Sequence, residues 1–151
     1  MVAKLRKIAE KRDKQHQRLD DLIARRFAAS NMSDTKWVKL LKSVAVFAEK
    51  VPYLTVKLVY GADIQHTFTQ SDPEHVDDFW FREPIIYKEI EWLEFPKVQR
   101  IVISEGVSTD FYQDLNDLKA YLESIAHFPL EESDTGLRVV GYVAKSELSI
   151  K

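Results

Sequence analysis

Four histidines and 24 carboxylates are the groups in this 151-residue chain that could move protons at neutral pH, and it has no cysteine. His66 lies in the β-rich run Ile64-Gln65-His66-Thr67-Phe68. With a Glu or Asp from a neighbouring strand it would serve as the general base of a small-molecule site or a minor hydrolase. Without such a partner it is an ordinary hydrogen-bonded sheet histidine. His75, Asp77 and Asp78 bring three nitrogen or oxygen donors into four residues. On a helical turn, however, positions i, i+2 and i+3 do not converge, so a solvated acidic turn is expected and no metal site. The four glycines, Gly61, Gly106, Gly136 and Gly141, are too dispersed for a dinucleotide fingerprint or a phosphate loop. No His-Glu-x-x-His run, EF-hand loop or Gly-x-Ser-x-Gly elbow occurs. The missing cysteines remove disulfides, thiolate nucleophiles, iron–sulfur clusters and Cys-bound zinc, and they fit a reducing cytoplasm. No cofactor is expected.

A second kind of chemistry is recognition. Phe79-Trp80-Phe81, Tyr87, Trp92 and Phe95 put six of 17 aromatics into one short stretch. The same stretch carries Asp72, Glu74, Asp77, Asp78, Glu83, Glu89, Glu91 and Glu94 against only Arg82 and Lys88. Acid with aromatic suits a basic protein better than a phosphate backbone. Trp80, Tyr87 and Trp92 are the candidate anchors, and Glu89, Glu91 and Glu94 the candidate steering charges. The plain alternative is a set of core aromatics beneath a wet acidic face.

Charge is distributed unevenly. Residues 1–26 hold nine Lys/Arg against four acids, a net of +5, so the remainder sums to −7. This segment, free of Gly and Pro, reads as one long basic helix. Leu5, Ile8, Leu19 and Leu22 follow a heptad spacing interrupted by Arg12 and Gln15. It suits a solvated helix, a helix docked on the acidic body, or a pairing of first helices in a homo-oligomer. Acids are interspersed and no aromatic lies among residues 1–26 to stack on bases, so a nucleic-acid partner is not expected. The longest apolar run, Val44-Ala45-Val46-Phe47-Ala48, is far short of a membrane span.

These residues need elements to hold them. At 45% apolar and 30% charged residues, the composition is that of a globular domain with its own core. A second helix is predicted over 33–50, with Ser33 or Asp34 as cap and Trp37, Leu40, Leu41, Val44 and Phe47 as the apolar stripe. Strands are predicted over 53–60 and 64–69. A three-residue Gly61-Ala62-Asp63 loop would set Tyr60 against Ile64, Leu58 against His66 and Val56 against Phe68. A helical turn over 72–79, opened by Ser71-Asp72-Pro73-Glu74, leads to strands over 85–95 and 98–104. A third helix capped by Ser108 or Thr109 carries Phe111, Leu115, Leu118, Leu122 and Ile125 on one face, and a strand over 137–144 precedes a free tail. The class is α+β. A mostly antiparallel sheet of about five strands is packed by two core helices, with residues 1–30 as a basic helical extension and 31–151 as a single domain.

Thr35-Lys36-Trp37, Ile90-Glu91-Trp92-Leu93-Glu94, Phe128-Pro129 and Leu137-Arg138-Val139-Val140-Gly141-Tyr142 resemble an uncharacterised bacterial domain of about this size, over residues 33–144. The resemblance implies a small α+β domain with no established activity and brings no catalytic residue. The leading expectation is a non-enzymatic cytoplasmic binding module, of the kind that neutralises a basic toxin or masks another protein partner. Charge reversal at Glu89 and Glu91 would then slow association. The alternatives are the His66 site and the homo-oligomer.

Overall fold

The structure, a computed structural model, describes residues 2–61, 64–72 and 86–145, with the side chains of 2–9 and 11–13 excepted. Among them the helices are α1 (Val2–Arg26), α2 (Asp34–Ala45) and α3 (Asn116–Ile125). The strands are β1 (Phe27–Ser30), β2 (Tyr53–Leu58), β3 (Ile64–Phe68), β4 (Ile90–Pro96), β5 (Val98–Ser104), β6 (Val107–Tyr112), β7 (Leu130–Glu132), β8 (Gly136–Val140) and β9 (Tyr142–Ala144). Contacts divide the chain into two units, one holding residues up to Ser30 with those from Val143, the other running from Asn31 to Tyr142.

In the first unit, α1 places Arg25 and Arg26 in its last turn, where the negative end of the helix dipole favours cations. The Arg26 guanidinium lies 4.9 Å from the ring centre of Phe27, and Leu19 is buried. Ala28-Ala29-Ser30 belongs to β1, paired with β9.

In the second unit, Ser33 caps α2 by accepting the Lys36 N–H at 3.2 Å, and Trp37, Leu40, Leu41 and Val44 are buried as their spacing predicts. The helix ends at Ala45, earlier than predicted. Beyond it, Val46, Phe47 and Ala48 donate to Ser43, Val44 and Ala45, the tighter i→i−3 bonds of a last turn.

The largest sheet has five strands in the order β3-β2-β4-β8-β7, all neighbours antiparallel. Leu54, Val56, Leu93, Phe95, Leu137 and Val139 join side chains of α2 and α3 in one buried cluster. Alternation turns Thr55, Lys57, Glu94 and Arg138 to the opposite face. Five strands agrees with the expectation, but the set differs, because residues 98–104 pair with β6 in a separate hairpin among the described residues.

The register of β3 on β2 is corrected. Thr55 stands opposite His66 and Lys57 opposite Ile64, three residues from the predicted pairing, so every β3 side chain changes face. The cause lies after Leu58, where the fully buried Val59 donates its N–H to Glu89 O at 2.8 Å. The chain thereby leaves β3 early, and the turn uses Gly61 at φ +73°.

The start of the third helix is also corrected. Residues 107–112 are strand β6, reached from β5 through Glu105-Gly106 with Gly106 at φ +77°, and the helix begins at Asn116, whose N–H is accepted by Asp114 Oδ1 at 3.1 Å. The β-branched and aromatic residues of this stretch fit a strand better than a first helical turn. Tyr87–Glu89, predicted as strand, is a 3₁₀ turn in which Glu89 Oε1 accepts the Ile86 N–H at 3.3 Å. The last strand divides at Gly141, whose carbonyl accepts the Asn31 N–H and whose own N–H goes to Glu91 O, both at 2.8 Å. Beyond Asp72, the helical turn predicted over 72–79 lies outside the described residues, as does the tail beyond Lys145.

Candidate functional site

Strand β4 gathers most of the residues singled out in the sequence. Lys57 stands opposite Trp92 and Leu58 opposite Ile90, leaving Glu91 as the extra residue of a bulge. Its carboxylate forms a half-buried ion pair with Lys57. Glu94, directly across from Thr55 on one side and Arg138 on the other, is only 6% exposed. Its Oε1 accepts the hydroxyls of Ser133 and Thr135, each at 3.0 Å, and the Arg138 Nη2 at 3.2 Å. The Arg138 guanidinium in turn lies 4.0 Å from the ring centre of Trp92, while its Nε is buried with no hydrogen-bond partner among the described residues. A carboxylate saturated with donors is a poor general base. This one ties the turn at 133–135 to β4.

The remaining candidates are placed as follows. Tyr87 packs, half-buried, against the core cluster. Glu89 holds the Ile86 N–H and also faces the Tyr60 phenol, which burial first and the Glu89 hydrogen bond second hold well above the ordinary tyrosine range. Trp80 and the Phe79-Trp80-Phe81 cluster lie outside the described residues, together with His75, Asp77 and Asp78. His66 is exposed on β3, with no hydrogen bond or ion pair among the described residues. Thr55 separates it from Glu94 in the cross-strand row. The structure thus brings Glu94, Trp92 and Arg138 together and leaves His66 apart from them. No group of three His, Asp or Glu residues suited to a metal ion occurs among the described residues, nor is any described helix long and apolar enough to cross a membrane.

Two features escaped the sequence reading. A cleft of about 810 Å³ lies between the base of the β5–β6 hairpin, the start of α3 and the β7–β8 turn. Lys119 at its wall is paired with Glu132 at 3.1 Å and Glu123 at 3.8 Å, and the Glu132 hydrogen bond leads in raising its pKa. Its lining comes from three separate stretches of the chain, 97–98, 112–119 and 132–137, so no local motif announces it.

The second is the hairpin itself. Its base is clamped: Gln113 accepts the Tyr53 N–H at 2.8 Å and donates to Tyr53 O at 3.2 Å and Pro96 O at 2.7 Å, while Phe111 packs on Tyr53 at 5.4 Å. Beyond the clamp, every residue of β6 is exposed. Val98, Val102, Ile103, Val107, Phe111 and Tyr112 account for six of the eleven large apolar side chains exposed among the described residues. The alternation of 107–112 carried the signal, hidden by the capping potential of Ser108 and Thr109.

Fold and site together define an α+β domain with a five-stranded antiparallel sheet, a buried Glu–Arg–Trp cluster and a projecting apolar hairpin. The chain belongs to a family of unknown function (DUF6678), matched over residues 19–146. No curated protein and no solved structure shows significant similarity to it.

Proposed function

We propose that the protein is a non-enzymatic protein-binding module whose contact element is the β5–β6 hairpin. The observation that carries this reading is the concentration of exposed apolar side chains on two strands, with Val102 at 74% and Tyr112 at 73% exposure. Large apolar side chains left exposed together on one element mark interaction surfaces. The binding reading is the one proposed from the sequence, argued here on other residues. Glu89, Glu91 and Glu94 are engaged in contacts within the protein, and Trp92 lies beneath Arg138. Charge reversal at Glu89 and Glu91 therefore acts on the fold before it acts on a partner. The enzymatic reading is less favoured, because His66 has no carboxylate partner among the described residues.

The test compares tagged wild-type protein with a Val102→Asp/Ile103→Asp variant, both shown to be folded by far-UV circular dichroism, in quantitative capture experiments. Proteins retained by the wild type, including untagged copies of the chain, should be lost with the variant. An identical retained set, or retention of nothing by either, would overturn the proposal.

A further inference from the structure

We infer that the hairpin's partner is a second copy of this chain, with β6 pairing antiparallel to β6 of that copy about Thr109 and the two hairpins forming one four-stranded sheet; this rests on the binding reading above. An isolated two-stranded hairpin is marginal in water, and a bare strand edge invites pairing. Natural edges are protected by lysine, proline, bulges or cover. Strand β5 has such protection, a register irregularity between Val102 and Ser104. Strand β6 contains neither lysine nor proline, and no strand pairs its outer edge among the described residues.

The direction of its main-chain groups follows from one bond. Gln113 donates its N–H to Lys97 O at 2.8 Å, which turns the main-chain groups of residue 113 toward β5, although Lys97 gives its own N–H to Thr135 O. Bonded and non-bonded pairs alternate in an antiparallel ladder, so 99/111 and 101/109 are the bonded pairs within the hairpin. Ser108, Asp110 and Tyr112 then turn their N–H and C=O groups outward.

A two-fold axis at Thr109 uses these groups symmetrically. Ser108 meets Asp110 of the second copy, and Asp110 meets its Ser108, so both outward pairs close main-chain bonds and each carboxylate faces a hydroxyl. On the other face Val107 meets Phe111 of the second copy in both directions, an apolar cross-strand pair, and Thr109 meets Thr109. Sliding the axis to residue 110 would set Asp110 against Asp110. Sliding it to 108 would leave Phe111 and Tyr112 unpaired.

The experiment measures the mass of the full chain in solution by light scattering during size exclusion. Wild type should be a dimer. Thr109→Lys and Thr109→Glu each oppose like charges at the axis and should halve the mass, and their equimolar mixture should restore it. Asp110→Pro, which removes an outward N–H but is tolerated on an edge strand, should also halve it. A monomeric wild type at the highest soluble concentration, a Thr109→Lys dimer, or a mixture that stays monomeric would overturn the inference. If any of these is seen while Val102→Asp/Ile103→Asp still loses a different captured protein, the binding reading stands and only the second copy is excluded.

Discussion

Truncating Glu94 to alanine removes the one acceptor shared by Ser133, Thr135 and Arg138. Hydrogen bonds to a charged group contribute about 1.5–3 kcal/mol each but are not additive around a shared acceptor. Removing one partner of a buried ion pair costs about 3–5 kcal/mol. Here the Arg138 side chain keeps 29% exposure and can recover some hydration, which favours the lower end, about 3 kcal/mol. For a chain of this length that corresponds to a fall of about 10 °C in the thermal midpoint. Urea unfolding followed by tryptophan fluorescence is the assay, since Trp92 lies under the guanidinium whose partner is removed. Arg138→Met and the double variant complete a cycle, in which the double should cost at least 1.5 kcal/mol, roughly, less than the sum of the singles. A single-variant loss below about 1 kcal/mol, or an additive cycle, would refute the claim that this carboxylate holds the 133–135 turn to β4.

Three further perturbations probe the frame around it. At Gly136 a Cβ would stand 2.1 Å from Phe95 O, so Gly136→Ala should lose roughly 2–3 kcal/mol in urea denaturation, and a neutral result would mean that β8 lies farther from β4 than described. Gln113→Ala strands the Tyr53 N–H and two carbonyls, and should cost about 2 kcal/mol and speed amide exchange at the hairpin base. Tyr60 keeps its proton in the folded state at pH values where the unfolded chain loses it, so wild-type stability should decline as pH rises above about 10. Tyr60→Phe should show a smaller decline over that range, and equal slopes for the two proteins would mean that burial and the Glu89 contact do not hold the Tyr60 proton.

What the sequence discloses depends on the range of the interaction. The α2 stripe is legible because Trp37, Leu40, Leu41 and Val44 obey a period set within one helix, and the Ser33 cap because its acceptor lies three residues away. The β3 register is not legible, because it is decided by the Val59 bond to Glu89, across thirty residues of chain. The buried cluster shows the same limit. Glu94, Ser133, Thr135 and Arg138 are all plain in the sequence, yet only the β4–β8 pairing places an acid that reads as a surface charge beneath three donors.

Strand β6 presents the harder case, since its local signals compete. Ser108 and Thr109 suit a helix cap, Val107, Thr109 and Phe111 suit one face of a strand, and no spacing rule separates these readings in six residues. The structure separates them through the chain on either side. Gly106 at positive φ turns β6 back on β5, and Asp114 supplies the acceptor that α3 needs, leaving Ser108 and Thr109 free of any capping task. Ser108 instead accepts the Arg100 Nε–H at 3.0 Å across the hairpin, which draws a charge of β5 away from its own edge. The hairpin therefore meets its internal demands with Gly106, Arg100 and Gln113. The alternation of Val107, Thr109 and Phe111 is left to be explained by a surface outside the hairpin, and that unspent pattern is why its edge is a better candidate for recognition than the acidic stretch, whose described charges are already used.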